Sequence, residues 1–411
     1  MLTRRRAGAT CAAVAAFGLC AAVTAPGAAA APAARAVRAQ PASFGPGAGT
    51  QLIGELADAW KITQGGGVTI AVLSTGVDPS TSGLAGKVVT GPDYVHLPFP
   101  APLEGTLFAS AVAGSGPTSA SPAGPIGRAP QARILSIRIA PDANVPGVSA
   151  WAKTADWDSL IARGITAAAR DGAQVIYVDA IAYDSSAALE QAVAYATSKN
   201  AVVIVSEYES AAGSNAATYP GSLPGVLGAG TAFLAGLTPP SSEYHTPSNE
   251  SILVSAPGDQ LAVSSPYGLG YAAQNIYSAG AWLAGTVALI KSVYPGLPPA
   301  LVARAIALSA RDHPAGGYNT TVGFGLINPA GALQEASVLA KLRNTAAPGP
   351  GVASPSARLA SGPVPGVIDA VHQSTVKLAE LGGVIAFGLV CLVLAALLGR
   401  RLRRQGRVSI S

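Results

Sequence analysis

Four short apolar runs, rich in branched side chains, recur along the chain: GVTIAVL (67–73), ARILSIRI (132–139), AQVIYVDA (173–180) and AVVIVSE (201–207). Runs of this length, with little polar alternation, belong in a sheet buried on both faces, which means parallel strands joined by helices. The stretches between them supply those helices. LFASAVAG (107–114), SLIARGITAAARDG (159–172) and ALEQAVAYATSKN (188–200) predict helices, the last two closed by Gly172 and Asn200 as C-terminal caps. AGAWLAGTVALIKSVYPG (279–296) predicts a later helix on the same sheet. The expectation is a doubly wound three-layer α/β/α domain with a mostly parallel sheet and no internal repeat.

Both ends of the chain have a different character. The first forty residues carry Arg4, Arg5, Arg6, Arg35 and Arg38, the last thirteen carry Arg400, Arg401, Arg403, Arg404 and Arg407, and neither end contains an acid. Setting these ten aside leaves sixteen basic against twenty-one acidic residues, a body of net charge −5. Such a body repels phosphate backbones, so nucleic acid is not an expected partner. The basic charge belongs to targeting.

Residues 1–31 combine an Arg-rich start, an apolar stretch to about Val23 and small residues at Ala29–Ala31, the pattern of a secretory signal peptide. A lipid anchor at Cys20 is the weaker alternative, because Leu19 is too large for the position before a lipidated cysteine. Near the other end, residues 381–399 run without a charge for roughly 28 Å as a helix, enough for a bilayer core. The basic cluster directly after them is a stop-transfer, positive-inside signal. The expected plan is therefore an exported membrane protein with one span, its large domain outside and its tail cytoplasmic. Its segments are a signal peptide (1–31), an extension (32–45), the α/β domain (46–340), a linker rich in Pro, Ala, Gly and Ser (341–380), the span (381–399) and a basic tail (400–411). Cys11, Cys20 and Cys391 all fall in the two apolar ends, so the domain has no disulfide, thiol nucleophile or cysteine metal site.

Eight blocks, in order, resemble the subtilisin-like serine proteases, and more narrowly the mycosins, membrane-anchored subtilases associated with type VII secretion in actinobacteria. GGGVTIAVLSTGVDP is similar to the first strand and turn, EGTLFASAVAG to the second block, and IGRAPQARILSIRI to the strand after it. GITAAARDGAQVIYVDA and NAVVIVSEYES resemble the next helix and two strands, and TYPGSLPGVLGAG the strand after the oxyanion loop. NIYSAGAWLAGTVALI is similar to the nucleophile helix, and VGFGLINPAGAL to the closing segment.

The resemblance implies an Asp–His–Ser triad, with an Asp orienting the His that activates the serine, and an oxyanion hole. At the Asp position stands Ser74, at the His position Glu104 in LEGTL, and at the serine position Tyr277. The oxyanion Asn falls near Tyr208 in SEYES, and the substrate-lining strand reads VDA (178–180). A hydroxyl cannot stabilise an imidazolium as a carboxylate does, so the expectation is a catalytically inactive homologue, a pseudoprotease acting as a scaffold or peptide-binding partner beside a type VII secretion apparatus.

The alternative is an active serine endopeptidase with a rearranged site using Glu104 and Ser278. The sedolisins place Glu at the His position, but they also need an Asp four residues later, where this chain has Phe108, and a serine where it has Tyr277. The plainer reading of Ser278 is an N-cap. His96, His245, His313 and His372 read as surface residues outside any metal-ligand spacing, and Asp78 as a turn residue. Glu207 and Glu209 could bind calcium, though a solvated loop is the plainer reading. No metal or cofactor is expected.

Overall fold

The computed structural model describes residues 43–345 apart from 45–46, 99–101, 118–123, 144, 208–217, 235–248, 259–260, 267 and 274–275. The signal, span and tail segments, together with Tyr208, Glu209, His245 and His372, lie outside the described residues.

A two-residue strand, β1 (Ser43–Phe44), precedes helix α1 (Ala48–Trp60), which buries Ala48, Leu52, Leu56 and Ala59 at helical spacing. Strand β2 (Thr69–Ser74) is followed by β3 (Val88–Asp93), helix α2 (Glu104–Ala113) and β4 (Arg133–Arg138). A short helix, α3 (Val148–Ala152), leads to α4 (Trp157–Arg170), whose N-terminus is capped by the Asp156 carboxylate accepting from Ser159 N–H. Then come β5 (Val175–Val178), α5 (Ala187–Ser198) with Ser186 as its cap, and β6 (Val202–Glu207). Three further strands, β7 (Val226–Leu234), β8 (Ile252–Pro257) and β9 (Leu261–Ser265), precede β10 (Gly268–Ala273). Helices α6 (Ile276–Val293), α7 (Pro299–Ser309) and α8 (Pro329–Thr345) close the described chain. Residues 341–345 are thus helical, and the linker's low-complexity composition begins only beyond them.

Strands β1 to β8 form one sheet in the order β1-β7-β6-β5-β2-β4-β3, with β8 also on β7, and every pairing in it is parallel. Strands β9 and β10 make a separate antiparallel pair. Period-two alternation sends Ile70, Val72, Val175, Tyr177, Val202 and Ile204 to one face, against α2 and α6. Ala71, Leu73, Ile176, Val178, Val203 and Val205 go to the other, against α4 and α5. Helix α6 is the central packing helix, enclosed on nearly every side, and even its Lys291 is buried, donating to Asn200 O, Asn200 Oδ1 and Leu297 O at 2.8–3.0 Å.

The chain runs outward from β2 to β3 and β4 on one side, then crosses to β5, β6 and β7 on the other. Strands β2 and β5 are adjacent, so the strand order reverses between them. In open α/β sheets, sites form outside the carboxyl ends of strands at such a reversal.

Candidate functional site at the carboxyl ends of the central strands

Ser74 ends β2 and Asp179 directly follows β5, so both stand at the reversal point. Ser74 Oγ donates to Asp179 Oδ2 at 2.7 Å, and Tyr177 gives the same carboxylate a second hydrogen bond. A phenol has one proton, so Tyr177, having donated it to Asp179, accepts from Ser206 Oγ at 3.1 Å. Parity explains the cluster: residues 74, 177, 179 and 206 continue the period-two set that faces α2 and α6. The donors therefore converge on one carboxylate. Enclosure pushes the Asp179 carboxyl up to about 6, against the opposing pull of the bonds from Ser74 and Tyr177.

Two helices start beside this cluster. Glu104 opens α2, and Gly105 beside it lies so close to the β2 turn that a Cβ there would stand 2.1 Å from Gly76 O and 3.3 Å from Ser74 Cβ. One turn along α2, Phe108 stacks on Tyr177. At the start of α6, a Cβ on Gly280 would come within 2.2 Å of Ser206 Oγ and 2.8 Å of Tyr177 Cε2, so only glycine lets the helix settle on the cluster. Tyr277 is the second residue of α6 and Ser278 the third. Ser278 sits inside the first turn of a helix that begins at Ile276, where the sequence reading made it an N-cap. It is 1% exposed, and its Oγ has no hydrogen-bond partner among the described residues.

The fold and this arrangement of strand ends and helix starts can now be set beside known proteins. The Subtilase family profile matches residues 65–325. The chain belongs to the subtilase family. It is 35% identical to thermitase of Thermoactinomyces vulgaris over 39% of this chain and 54% of that protein, so the match spans about half of thermitase's length. It is 30% identical to Mycosin-1 of Mycobacterium tuberculosis over 68% of this chain and 71% of that protein, which makes it a mycosin-like subtilase. A solved structure of the serine protease MycP1, an essential component of the type VII (ESX-1) secretion system, superposes with a TM-score of 0.54 at 29% identity, covering 73% of this chain and 93% of that one.

Within this subtilase the remaining candidates scatter. His96 lies exposed in the loop after β3 with φ 57°, and His313 is exposed, its Nδ1 2.6 Å from Phe324 O. Asp78 accepts from Ser80 N–H and Oγ, as a turn residue does. Glu207 departs from the sequence reading. It ends β6 at 4% exposure, accepting from Ser251 Oγ at 2.5 Å, from Thr218 Oγ1 and from Asn249 Nδ2. Burial raises its carboxyl above the usual range, and those hydroxyls and the amide, supplied from distant segments, replace the water a solvated loop would give it. No group of three His, Cys, Asp or Glu among the described residues could hold a metal ion.

Asp179 is the residue that sequence reasoning passed over, having read VDA only as an altered substrate strand. Its signal was an acid directly after a buried central strand, in phase with the residues facing α6. Chemically, the cluster holds a carboxylate whose neighbour Ser74 is fully buried and already donates to it.

Proposed function

We propose that this chain is a catalytically silent mycosin-type subtilase, held on the outer face of the membrane, that serves as a scaffold or peptide-binding component beside a type VII secretion apparatus. The observation that carries the reading is the bond from Ser74 to Asp179. Where the family resemblance puts the acid that steadies an imidazolium, this chain has a buried hydroxyl already committed to a carboxylate on the next strand. That carboxylate is occupied by Ser74 and Tyr177, and a histidine to orient is missing from position 104, which is Glu. The enclosure of Ser278 supports the same reading, since a nucleophile must reach a substrate carbonyl. The likeness to MycP1, itself a type VII secretion component, motivates the cellular assignment. Apolar residues 381–399 with their trailing arginines motivate the anchor.

The test is labelling of the purified full-length chain with a serine-reactive fluorophosphonate, alongside a peptidase assay. Absence of labelling and of turnover above a matched blank is expected. Labelling that disappears on Ser278→Ala would overturn the silent reading and establish an endopeptidase using Glu104 and Ser278.

A further inference from the structure

On the sheet face away from α2 and α6, helices α4 and α5 leave an open groove of about 500 Å³ between them. Its floor is made of alanines from both helices. Its rims are polar: Arg163, Thr166 and Arg170 form an i, i+3, i+7 stripe along α4, facing Gln191 and Tyr195 one turn apart on α5. Tyr94, at the end of β3, closes one side, and the Arg163 guanidinium lies 4.2 Å from its ring centroid. Among the described residues no carboxylate lines the groove. Asp171 sits beyond its end and takes Arg170 Nε and Nη2, a solvent-facing pair that screens Arg170 only in part. Lys199 stands over the Tyr195 ring at 5.4 Å and adds a third positive charge at the margin.

This concentration of guanidinium and aromatic groups contrasts with the net charge of −5 carried by residues 41–398. Arginine and tyrosine are the residue types enriched at docking surfaces. Seven residues of α4 separate the two guanidiniums by about 10 Å along the helix axis. Three residues of a polyproline II chain rise about 9 Å and bring positions i and i+3 to the same face. We propose that the groove docks an acidic segment of a partner polypeptide in polyproline II conformation, with Asp or Glu three residues apart on its one face pairing Arg163 and Arg170 and small side chains between them lying on the alanines. The site is remote from the Ser74–Asp179 cluster, so it stands or falls independently of the silent-protease reading.

The probe is a labelled peptide of four Glu-Gly-Ser repeats, titrated into the full-length chain by fluorescence anisotropy. Saturable binding is expected, weakening as salt rises from about 50 to about 200 mM, with no binding of the matching Lys-Gly-Ser peptide. Arg163→Gln with Arg170→Gln should weaken it about tenfold or more while the circular dichroism spectrum stays that of the folded chain, since both side chains are exposed. Thr166→Trp, which fills the groove and leaves the charges, should weaken it comparably. A loss with the arginine pair alone would mean a diffuse basic surface and would overturn the groove. Displacement by inorganic phosphate or free glutamate at matched charge would mean a small-anion site and overturn the polypeptide occupant. Absence of binding, or binding equal in all variants, would overturn the proposal outright.

Discussion

Phe108 lies flat against Tyr177, with ring centroids 3.6 Å apart and planes 5° from parallel. The stack fastens the helix that Glu104 opens to the strand that delivers Asp179. It also orients the phenol whose hydroxyl reaches both Asp179 and Ser206. An aromatic ring at position 108 thus supports the half-buried carboxylate that follows a neighbouring strand.

Asp179→Asn should flatten one component of the pH dependence of stability. The folded carboxyl stands at about 6 against an ordinary 3.8, so the folded state holds this proton more tightly than the unfolded chain does. Its contribution is fully present below about pH 4 and is lost as pH rises through 6. The gap corresponds to at most about 3 kcal/mol, and because part of Asp179 reaches solvent, about 1–2 kcal/mol is expected. Urea unfolding at pH 4 and pH 7 should show the variant matching wild type in acid and exceeding it by that amount at neutrality. A wild-type advantage at pH 7 would contradict the argument.

Ser74→Asp should destabilise the fold. It places a second carboxylate against Asp179 in an enclosed site, where an uncompensated buried charge costs roughly 3–5 kcal/mol. Adding Asp179→Ser to that variant restores one acid and one hydroxyl in contact and should recover most of the loss. A double-mutant cycle on denaturant midpoints measures this coupling, and additivity would mean that the two side chains do not share a site.

Gly280→Ala should cost about 1–3 kcal/mol, because its Cβ would overlap Ser206 Oγ and crowd Tyr177. Combining it with Ser206→Ala relieves the closer of the two clashes and should return part of the stability. A thermal midpoint unchanged in the single variant would show that α6 does not settle where the structure puts it.

Topology is testable in protoplasts. External protease should digest the α/β domain and leave a small fragment containing residues 381–411, as the signal pattern and the arginine cluster imply. Protection of the large domain would reverse the proposed orientation.

The four central strands were legible because each is built on a short cluster of branched apolar residues, and Gly172 and Asn200 were legible as caps because their φ of 81° and 62° favour Gly and Asn. Strand β3 was not, since VVTGPD interrupts its short apolar start with Gly and Pro, as an edge strand tolerates. The sequence named Ser74 and Glu104 one at a time and not as parts of a network. Ser74 and Asp179 are 105 residues apart, and nothing local to either indicates that parallel pairing makes them neighbours. Glu207 was misjudged for a related reason. Its partners Thr218, Asn249 and Ser251 reach it from separate segments, so only the folded chain shows the acid as enclosed.

That separation of 105 residues also bears on heredity. Moving the acid from β5 back to β2 requires two changes at distant codons. Taken singly, one order passes through a protein with two opposed acids. The other passes through a protein with two hydroxyls, in which Tyr177 loses its acceptor. The first intermediate carries the buried-charge cost argued above, so the order that removes the acid from the end of β5 first is the one that avoids it.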